Sequence, residues 1–224
     1  MNFHVVTLFP ETIEAYTNAS ILGRAQKEGY LKVKTYQLRD FVKNPGRAGK
    51  WFYKRVDDKP YGGGPGMIIQ AEPVIRAVEA IKKKTKKGSK VKVLITAAGG
   101  KPLTNAYAKA LAKQQDVIIV CGRYEGIDSR AKKAITAAGA QVDEVSVGPY
   151  ILTGGEVPAL AIIDATARQI KGVLGTFESL EESRVASHEM YTRPEVLKVK
   201  NVNGVEKSYR VPKVLLSGHH AKID

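Results

Sequence analysis

The sequence predicts an α/β fold built on a mostly parallel β-sheet with helices on both faces, and two observations lead to this prediction. Short apolar segments of strand length, such as residues 91–95 and 117–121, alternate along the chain with longer segments of helical period. This alternation is typical of parallel sheets that are covered by helices. Apolar residues also make up 43% of the 224 residues, which is enough to bury a substantial core.

The first elements are a strand, a helix and a second strand. Residues 3–9 form an apolar segment of strand length, after which Pro10 begins a predicted helix that extends toward Lys27. Gly29 marks the expected end of that helix, because glycine is common just beyond a helix terminus. Residues 31–36 then alternate apolar and polar side chains, which predicts a strand.

The middle of the chain supplies a loop and three further helices. Residues 40–59 show no clear period and are expected to form a loop, and a helix follows at residues 73–84. Residues 82–92 contain seven lysines in eleven positions, which is typical of a solvated connection. A helix from about Thr104 lies between the two apolar strands named above, and residues 127–138 form the next helix.

The last helix of the main domain is predicted at residues 158–170. Its apolar side chains recur on one face at helical spacing: Leu160, Ile163, Ala167 and Ile170. Residues 171–191 are polar and punctuated by glycines, so we expect a linker there, followed by a shorter carboxy-terminal segment.

Charge and cysteine content limit the classes of partner and compartment. The chain carries 36 Lys and Arg residues against 22 Asp and Glu, a net charge of +14, which favours a polyanionic partner such as a nucleic acid. The alternative is a lysine-rich surface that is only solvated.

Cys121 is the single cysteine, which excludes an intramolecular disulfide framework and fits a reducing compartment. The sequence has no signal-peptide pattern and no apolar run of the ~20 residues that span a bilayer. We therefore expect a cytoplasmic protein without a membrane partner.

Two glycine-rich segments are candidates for ligand binding. Residues 57–67 contain four glycines and two prolines, and such a backbone lets main-chain N–H groups approach a ligand closely. An ordinary tight turn is the alternative, and a phosphate-binding P-loop is excluded because no Gly-Lys-Ser/Thr follows. Residues 121–128 lie where an apolar strand ends, the edge at which open α/β sheets bind ligands. Arg123 and Glu125 there could bind a cofactor or a metal, or form a simple surface ion pair.

A third segment, residues 147–159, is mostly apolar, with Glu156 as its only charge. A buried loop must satisfy its own backbone groups, and a ligand rich in donors and acceptors, such as adenine, can do that. Asp164 and Arg168 follow at i,i+4 spacing on the next helix, where a plain helix ion pair is the alternative. The adjacent histidines at 219–220 suggest zinc, but no cysteine or spaced histidine completes a tetrahedral set.

Together these segments closely resemble the bacterial tRNA (guanine-N1)-methyltransferase family, whose members modify the guanosine at tRNA position 37. Each motif is weak alone, but the matching stretches occur in the family's order over nearly the whole chain: 8–11, 56–67, 120–128, 147–159, 172–175, 191–196 and 212–220. The resemblance implies a SPOUT-type domain with a deep trefoil knot at residues 1–171 and an interdomain linker at 172–190. It also implies that residues 191–224 begin a tRNA-binding carboxy-terminal domain, which we expect to be truncated here.

The resemblance also implies ligands and partners. The methyl donor is S-adenosylmethionine, tRNA is the substrate, and two copies form a homodimer with each active site at the subunit interface. The family's dependence on magnesium implies Mg²⁺ as well, with no residues assigned to it. By similarity the donor is bound by eleven residues: Gly100, Gly122, Arg123, Tyr124, Glu125, Val147, Gly148, Tyr150, Leu152, Gly154 and Gly155.

Two departures from the family pattern affect the expected site. The first knot loop of the family holds a Ser/Thr-Pro-Gln-Gly turn, whereas residues 96–100 here are Thr-Ala-Ala-Gly-Gly, so we expect that wall to be reshaped. The family's proton-abstracting aspartate precedes a serine in the linker, and here Glu182 is the best match, with Glu181 in reserve. By resemblance Arg168 is the cation that stabilises charge on guanine O6. Glu125, or a magnesium ion near it, is expected to orient the donor or the substrate.

Other functions remain as alternatives. A related knotted methyltransferase could act at another RNA position. A basic RNA-binding module without catalysis would have no affinity for S-adenosylmethionine, which separates it from an enzyme. A nucleotide hydrolase is remote, because the chain lacks a P-loop.

Overall fold

The computed structural model describes residues 1–43, 54–86, 88–89, 91–174 and 190–216. By its contacts the chain divides into two compact units, Met1–Gly175 and Thr176–Asp224. No helix in the described ranges has the length and apolar character needed to cross a membrane.

The first unit alternates strands and helices. Its strands are β1 (Asn2–Thr7), β2 (Lys32–Gln37), β3 (Asp57–Asp58), β4 (Ile68–Ile69), β5 (Val91–Pro102), β6 (Asp116–Val120) and β7 (Gln141–Ser146). Its helices are α1 (Pro10–Thr17), α2 (Ser20–Lys27), α3 (Ala71–Lys84), α4 (Asn105–Leu111), α5 (Arg130–Ala137) and α6 (Glu156–Ala167), with a short 3₁₀ helix at Leu38–Phe41.

Five of these strands form one sheet in the order β2-β1-β6-β5-β7, and every neighbouring pair is parallel. All five strands therefore end at the same side of the sheet, which we call the carboxyl edge, and begin at the opposite side, the amino edge. β3 and β4 form a separate antiparallel pair. The predicted α/β class with a parallel sheet is confirmed.

Helices cover both faces of the sheet, as predicted. In β1, Phe3 and Val5 pack with α1, α2, α4 and α6, whereas Val6 packs on the opposite face with α3 and α5. The same alternation holds in β6, where Ile119 faces the first group of helices and Ile118 the second. Each face therefore has its own apolar core, and each large side chain buried there contributes ~1.5–3 kcal/mol.

The predicted long helix at residues 10–27 is instead two helices. α2 begins at Ser20, whose φ of 48° lies in the left-handed region and breaks the helical path after α1. Gly23 permits the tight junction, because a Cβ there would lie 2.2 Å from the carbonyl oxygen of Asn18. The predicted end of the helix is correct: Gly29, with a φ of 81°, follows α2.

β7 was not predicted from the sequence, because two carboxylates occupy the centre of this edge strand. Asp143 accepts a hydrogen bond from the Tyr107 hydroxyl at 2.6 Å and pairs with Lys92 at 2.7 Å. Glu144 pairs with Lys132 at 2.9 Å. These partners neutralise charges that would otherwise argue against a strand.

Two predicted helices keep their place but change their ends. α5 begins at Arg130 rather than at Ile127, because Ile127 pairs with Ile69 as an isolated β-bridge. α6 begins just before the predicted Pro158, and its buried face is broader than predicted. The buried apolar and hydroxyl side chains of α6 are Pro158, Ala159, Ile162, Ile163, Thr166 and Ala167.

The described part of the second unit is a β-hairpin followed by a four-residue helix. β8 (Val196–Lys200) pairs antiparallel with β9 (Glu206–Arg210), and α7 (Lys213–Leu216) follows. The strands of the hairpin are almost entirely exposed, and the sequence analysis did not predict them.

Candidate active site

A cavity of about 460 Å³ opens at the carboxyl edge, between the irregular part of β5 at residues 95–99 and the loops that follow β6 and β7. All the predicted donor-binding residues except Gly100 line it: Gly122, Arg123, Tyr124, Glu125, Val147, Gly148, Tyr150, Leu152, Gly154 and Gly155. Residues far apart in sequence meet here because parallel strands deliver their loops to the same edge.

Gly100 is not among the residues that line the cavity, and its assignment to the donor site stays a prediction. A Cβ on Gly100 would lie 2.6 Å from backbone atoms of Glu144 and Val145. The missing side chain therefore allows close packing of β5 against β7. Residues 97–99 form the wall of the cavity instead, in the stretch where the sequence departs from the family's turn.

Hydrogen bonds join β5 to the loops after β6 and β7 at the base of the cavity. The Gly122 N–H donates to the Thr96 hydroxyl at 2.9 Å, and the Gly155 N–H donates to the Gly122 carbonyl at 2.7 Å. A Cβ on Gly155 would lie 2.1 Å from the Thr96 oxygen and 2.6 Å from the Gly122 nitrogen. Any side chain at position 155 would force these loops apart.

A buried carboxylate stands behind the cavity wall. Glu156, the first residue of α6, is only 3% exposed, and its Oε1 accepts a hydrogen bond from the Thr7 hydroxyl at 2.7 Å. Its Oε2 lies 3.5 Å from Nε of Arg123, whose guanidinium lies over the Phe9 ring, 4.3 Å from the ring centroid. Oε2 and Nε are both buried and lack a hydrogen-bond partner within the described residues.

Sequence reasoning singled out Arg123 but gave no role to Glu156, Thr7 or Phe9. The available signal was Glu156 itself, the only charge in an otherwise apolar loop. Cys121 lies beside this group, and burial, followed by the charge of Glu156, raises the pKa of its thiol well above the ordinary value. The thiol is therefore protonated at neutral pH and is not a nucleophile.

The glycine-rich segment at residues 57–67 meets the loop after β6. The Glu125 N–H donates to the Met67 carbonyl at 3.0 Å, and a Cβ on Gly66 would lie 2.6 Å from the Glu125 carboxylate. Gly66 has a φ of 89°, which favours glycine at this position. This segment thus supports Glu125 from outside the cavity.

Three carboxylates line the cavity, and two of them are paired. The Asp128 carboxylate is held by Arg130 at 2.6 Å, and this hydrogen bonding lowers the pKa of Asp128. Glu144 pairs with Lys132, as described above. For Glu125 no ion pair is found in the described part of the chain, which also contains no group of three His, Cys, Asp or Glu side chains placed to hold a metal.

The structure does not bring Arg168 to this cavity. α6 starts at the carboxyl edge and runs away from it, so that Arg168 lies roughly 18 Å along the helix, at ~1.5 Å per residue. Its neighbours confirm the direction: Asp164 accepts a hydrogen bond from Tyr16, and Gly172 approaches the ring of Tyr30 at the amino edge. Within one chain, Arg168 and the donor-site residues are separate.

Several other predicted residues lie outside the described ranges. These are the two candidate bases, Glu181 and Glu182, and the histidines at 219–220. Their positions relative to the cavity stay predictions.

The whole chain matches a known protein family. The family model described as tRNA (Guanine-1)-methyltransferase TrmD matches residues 1–224. A relative from Desulforamulus reducens, named tRNA (guanine-N(1)-)-methyltransferase, is 40% identical over 227 residues, covering 100% of this chain and 81% of the relative. Proteins of the same name from Pseudoalteromonas atlantica and Ruminiclostridium cellulolyticum are 43% and 41% identical over 226 and 228 residues. These alignments cover 99% and 100% of this chain, and 76% and 88% of the two relatives.

The resemblance drawn from the motifs is thereby confirmed. Because the match runs through the loops that line the cavity as well as through the core, this chain belongs to the tRNA (Guanine-1)-methyltransferase TrmD family.

Proposed function

We propose that this chain transfers a methyl group from S-adenosylmethionine to N1 of the guanosine at position 37 of tRNA, giving 1-methylguanosine. The observation that carries the proposal is the cavity at the carboxyl edge, which gathers ten of the residues expected to bind the donor in a family of tRNA methyltransferases. Its volume of about 460 Å³ falls within the range of small-molecule sites. The basic chain, with a net charge of +14, suits an RNA substrate.

The chemistry explains which residue types are needed. The methyl group of a sulfonium is already electrophilic, so catalysis requires a nucleophile that is held in line and close. Guanine N1 carries a proton and is a poor nucleophile until a base removes that proton, a role we assign to Glu182, with Glu181 as the alternative. Negative charge then develops on O6, where the guanidinium of Arg168 stabilises it.

Donor binding is assigned to the loops after β6 and β7. The loop at 147–155 supplies main-chain donors and acceptors beside apolar side chains, an environment suited to the adenine ring. The contacts between this loop and the loop at 121–128 also support the family's deep trefoil knot, which we propose for this chain. Glu125 is the lining carboxylate best suited to hold Mg²⁺, which needs only one or two protein carboxylates and keeps several waters.

We propose a homodimer, because one copy does not assemble the site. Arg168 lies at the far end of α6 from its own cavity, so only a second copy can bring this residue to the guanine. Exposed apolar side chains beside the cavity mouth offer the contact surface: Tyr150, Ile151, Leu152 and Val157. Ile151 is 82% exposed in the single chain, and with its neighbours Tyr150 and Leu152 it forms a run of exposed apolar residues of the kind that marks an interface.

For the second unit we propose a role in tRNA binding. Residues 172–190 would connect it to the catalytic domain at 1–171, and residues 191–224 would contribute RNA contacts. The exposed hairpin carries Lys198, Lys200, Lys207 and Arg210. Cations on an exposed surface bind phosphates without regard to sequence.

The direct test is mass spectrometry of tRNA after incubation with the protein and S-adenosylmethionine. We expect 1-methylguanosine at position 37 and no product in a transcript that carries adenosine at that position. Methylation at a different nucleotide would favour a related knotted methyltransferase. RNA binding without donor binding would favour a module without catalysis.

The choice of base predicts a contrast between neighbouring residues. Glu182→Ala should lower single-turnover methylation by ~10²–10⁴-fold, because that is the usual contribution of a general base. Glu181→Ala is the matched control and should retain activity. The reverse result would place the base at Glu181.

The shared site predicts complementation between two inactive variants. Arg168→Ala should lower turnover sharply while donor binding stays nearly intact, whereas Glu125→Ala inactivates from the cavity side. When the two variants are co-expressed, half of the dimers are mixed and each has one intact site, so roughly a quarter of the wild-type activity should return. No recovery in dimers shown to be mixed would place Arg168 and the cavity in the same subunit's site.

A further inference from the structure

We propose that Glu156 is a positioning residue: held by Thr7, it fixes the guanidinium of Arg123 so that Arg123 binds the carboxylate of the methyl donor's amino-acid group. The inference rests on the proposed function, since it takes the cavity to be the donor site. It adds a role for two residues, Glu156 and Thr7, that the motifs did not assign.

Glu156 acts through another residue rather than by touching the ligand. Its side chain is almost fully buried and does not line the cavity, whereas Arg123 does. A buried carboxylate is costly unless a cation and hydrogen bonds compensate it. Here the Thr7 hydroxyl occupies Oε1, and the nearest cation is the Nε edge of Arg123 at 3.5 Å.

Two sides of the Arg123 guanidinium are occupied by other residues. Glu156 faces its Nε edge, and Phe9 covers one flat side at 4.3 Å. A side chain at position 154 is excluded, because a Cβ there would lie 2.5 Å from the Glu156 Oε2 and 2.8 Å from the Arg123 Nε. The plane of the guanidinium is thus fixed, and none of the described residues accepts a hydrogen bond from its Nη groups. A carboxylate accepts two parallel N–H bonds from such a group.

The charges that line the cavity indicate which anion Arg123 binds. The lining contains two cationic side chains, and one of them, Lys132, is already paired with Glu144 at 2.9 Å. Arg123 is therefore the lining cation with donors available to a ligand. The only anionic group of S-adenosylmethionine is its carboxylate. RNA phosphate is the other anion in the reaction, but an arginine fixed from behind the donor-binding loops is better placed for the small ligand.

The test compares S-adenosylmethionine with its decarboxylated analogue by calorimetry. Wild-type protein should bind the analogue at least ~10-fold more weakly, in line with loss of a charge-assisted hydrogen bond. Glu156→Gln should weaken binding of S-adenosylmethionine but not of the analogue, so that the preference shrinks. Glu79→Gln, an exposed glutamate on α3, is the matched control and should keep the preference.

A second pair of variants keeps the test valid if Glu156→Gln does not fold. Thr7→Val removes the hydroxyl with little change in shape and should also reduce the preference, whereas Thr7→Ser should retain it. Equal weakening of both ligands in these variants would indicate a purely structural role and overturn the proposal. The proposal would also be overturned if the wild-type protein bound S-adenosylmethionine and its decarboxylated analogue equally well. The same holds if a variant lowered the salt dependence of tRNA binding by about one unit of slope, because that would mean Arg123 contacts an RNA phosphate. Failure of the wild-type protein to bind either ligand would instead refute the proposed function.

Discussion

The two edges of the parallel sheet both bury polar side chains, but they satisfy them differently. At the carboxyl edge, Arg123 and Glu156 face each other at 3.5 Å and leave one buried atom each without a hydrogen bond among the described residues. At the amino edge, His4 lies 3.1 Å from Asp116 and 3.0 Å from the Tyr36 hydroxyl.

The amino-edge network closes on itself. The Asn2 amide donates to the same Asp116 oxygen at 2.9 Å, and a neutral His4 that donates from Nε2 can accept the Tyr36 hydroxyl at Nδ1. A network of satisfied groups stabilises a fold, whereas buried atoms without partners beside a cavity indicate a place for a ligand. Ser89 Oγ, before β5, and Thr166 Oγ1, near the end of α6, are also buried without a partner among the described residues. The cavity beside Arg123 and Glu156 is therefore what assigns ligand binding to the carboxyl edge, and we assign the closed network at the amino edge to stability.

The largest expected effect comes from adding one carbon at each edge. Gly155→Ala should weaken donor binding by ~10- to 100-fold and lower stability, because overpacking typically costs ~1–3 kcal/mol and here separates the loops that form the cavity. Gly172→Ala is the amino-edge counterpart: its Cβ would lie 2.5 Å from the Tyr30 ring, and the glycine has a φ of 94°. It should lower stability and leave donor affinity unchanged. Calorimetry and thermal unfolding of both variants would check this, and equal loss of affinity would erase the distinction between the edges.

A smaller effect is expected from the histidine of the amino-edge network. His4→Gln should destabilise the protein by ~1–3 kcal/mol at pH 7.5, because it leaves buried partners unsatisfied. Turnover under conditions where the variant is folded should not change. Lys32→Gln, an exposed change on the neighbouring strand, is the control.

The same histidine predicts a pH dependence. Burial lowers the pKa of His4 despite the opposing effect of Asp116. Its stabilising contribution is therefore fully present above the unfolded pKa of ~6.5 and is lost as pH falls toward the lower folded value. The stability difference between wild type and His4→Gln, measured by urea unfolding, should narrow from pH 7.5 to pH 5.5. A difference that widens on acidification would mean that His4 is charged in the folded protein.

Periodicity predicted the fold class because apolar side chains alternate along the chain at the spacings of strands and helices. It failed where a tertiary contact overrides local pattern. β7 carries Asp143 and Glu144 at its centre, and only their lysine and tyrosine partners make the strand possible. The break before Ser20 likewise depends on close packing at Gly23, which leaves no trace in apolar spacing.

The candidate site likewise combines features that the sequence pattern predicted with features that only tertiary contacts determine. The glycine motifs located the cavity loops, but motif order cannot tell whether a glycine faces a ligand or a strand, and Gly100 faces β7. Nor can it tell that Arg168 is a helix length away from the cavity. The contact between Thr7 and Glu156 joins residues 149 positions apart, so it is visible only in three dimensions.

The smallest expected effect tests whether RNA reaches the amino edge. α3 ends there, and its exposed Lys83, together with Lys86 just beyond the helix, lies on the face of the sheet opposite α6. α3 is 14 residues long, so these charges lie roughly 21 Å from the carboxyl edge at ~1.5 Å per residue. The Debye length at physiological salt is only about 8 Å.

The double change Lys83→Gln and Lys86→Gln should therefore leave kcat/KM for tRNA nearly unchanged at 150 mM salt, while a small loss is expected at low salt. The same double change at Lys198 and Lys200 of the hairpin should weaken tRNA binding at both salt concentrations. If the α3 variant instead lost affinity at both, the RNA would contact the amino edge, and the assignment of that edge to stability alone would be wrong.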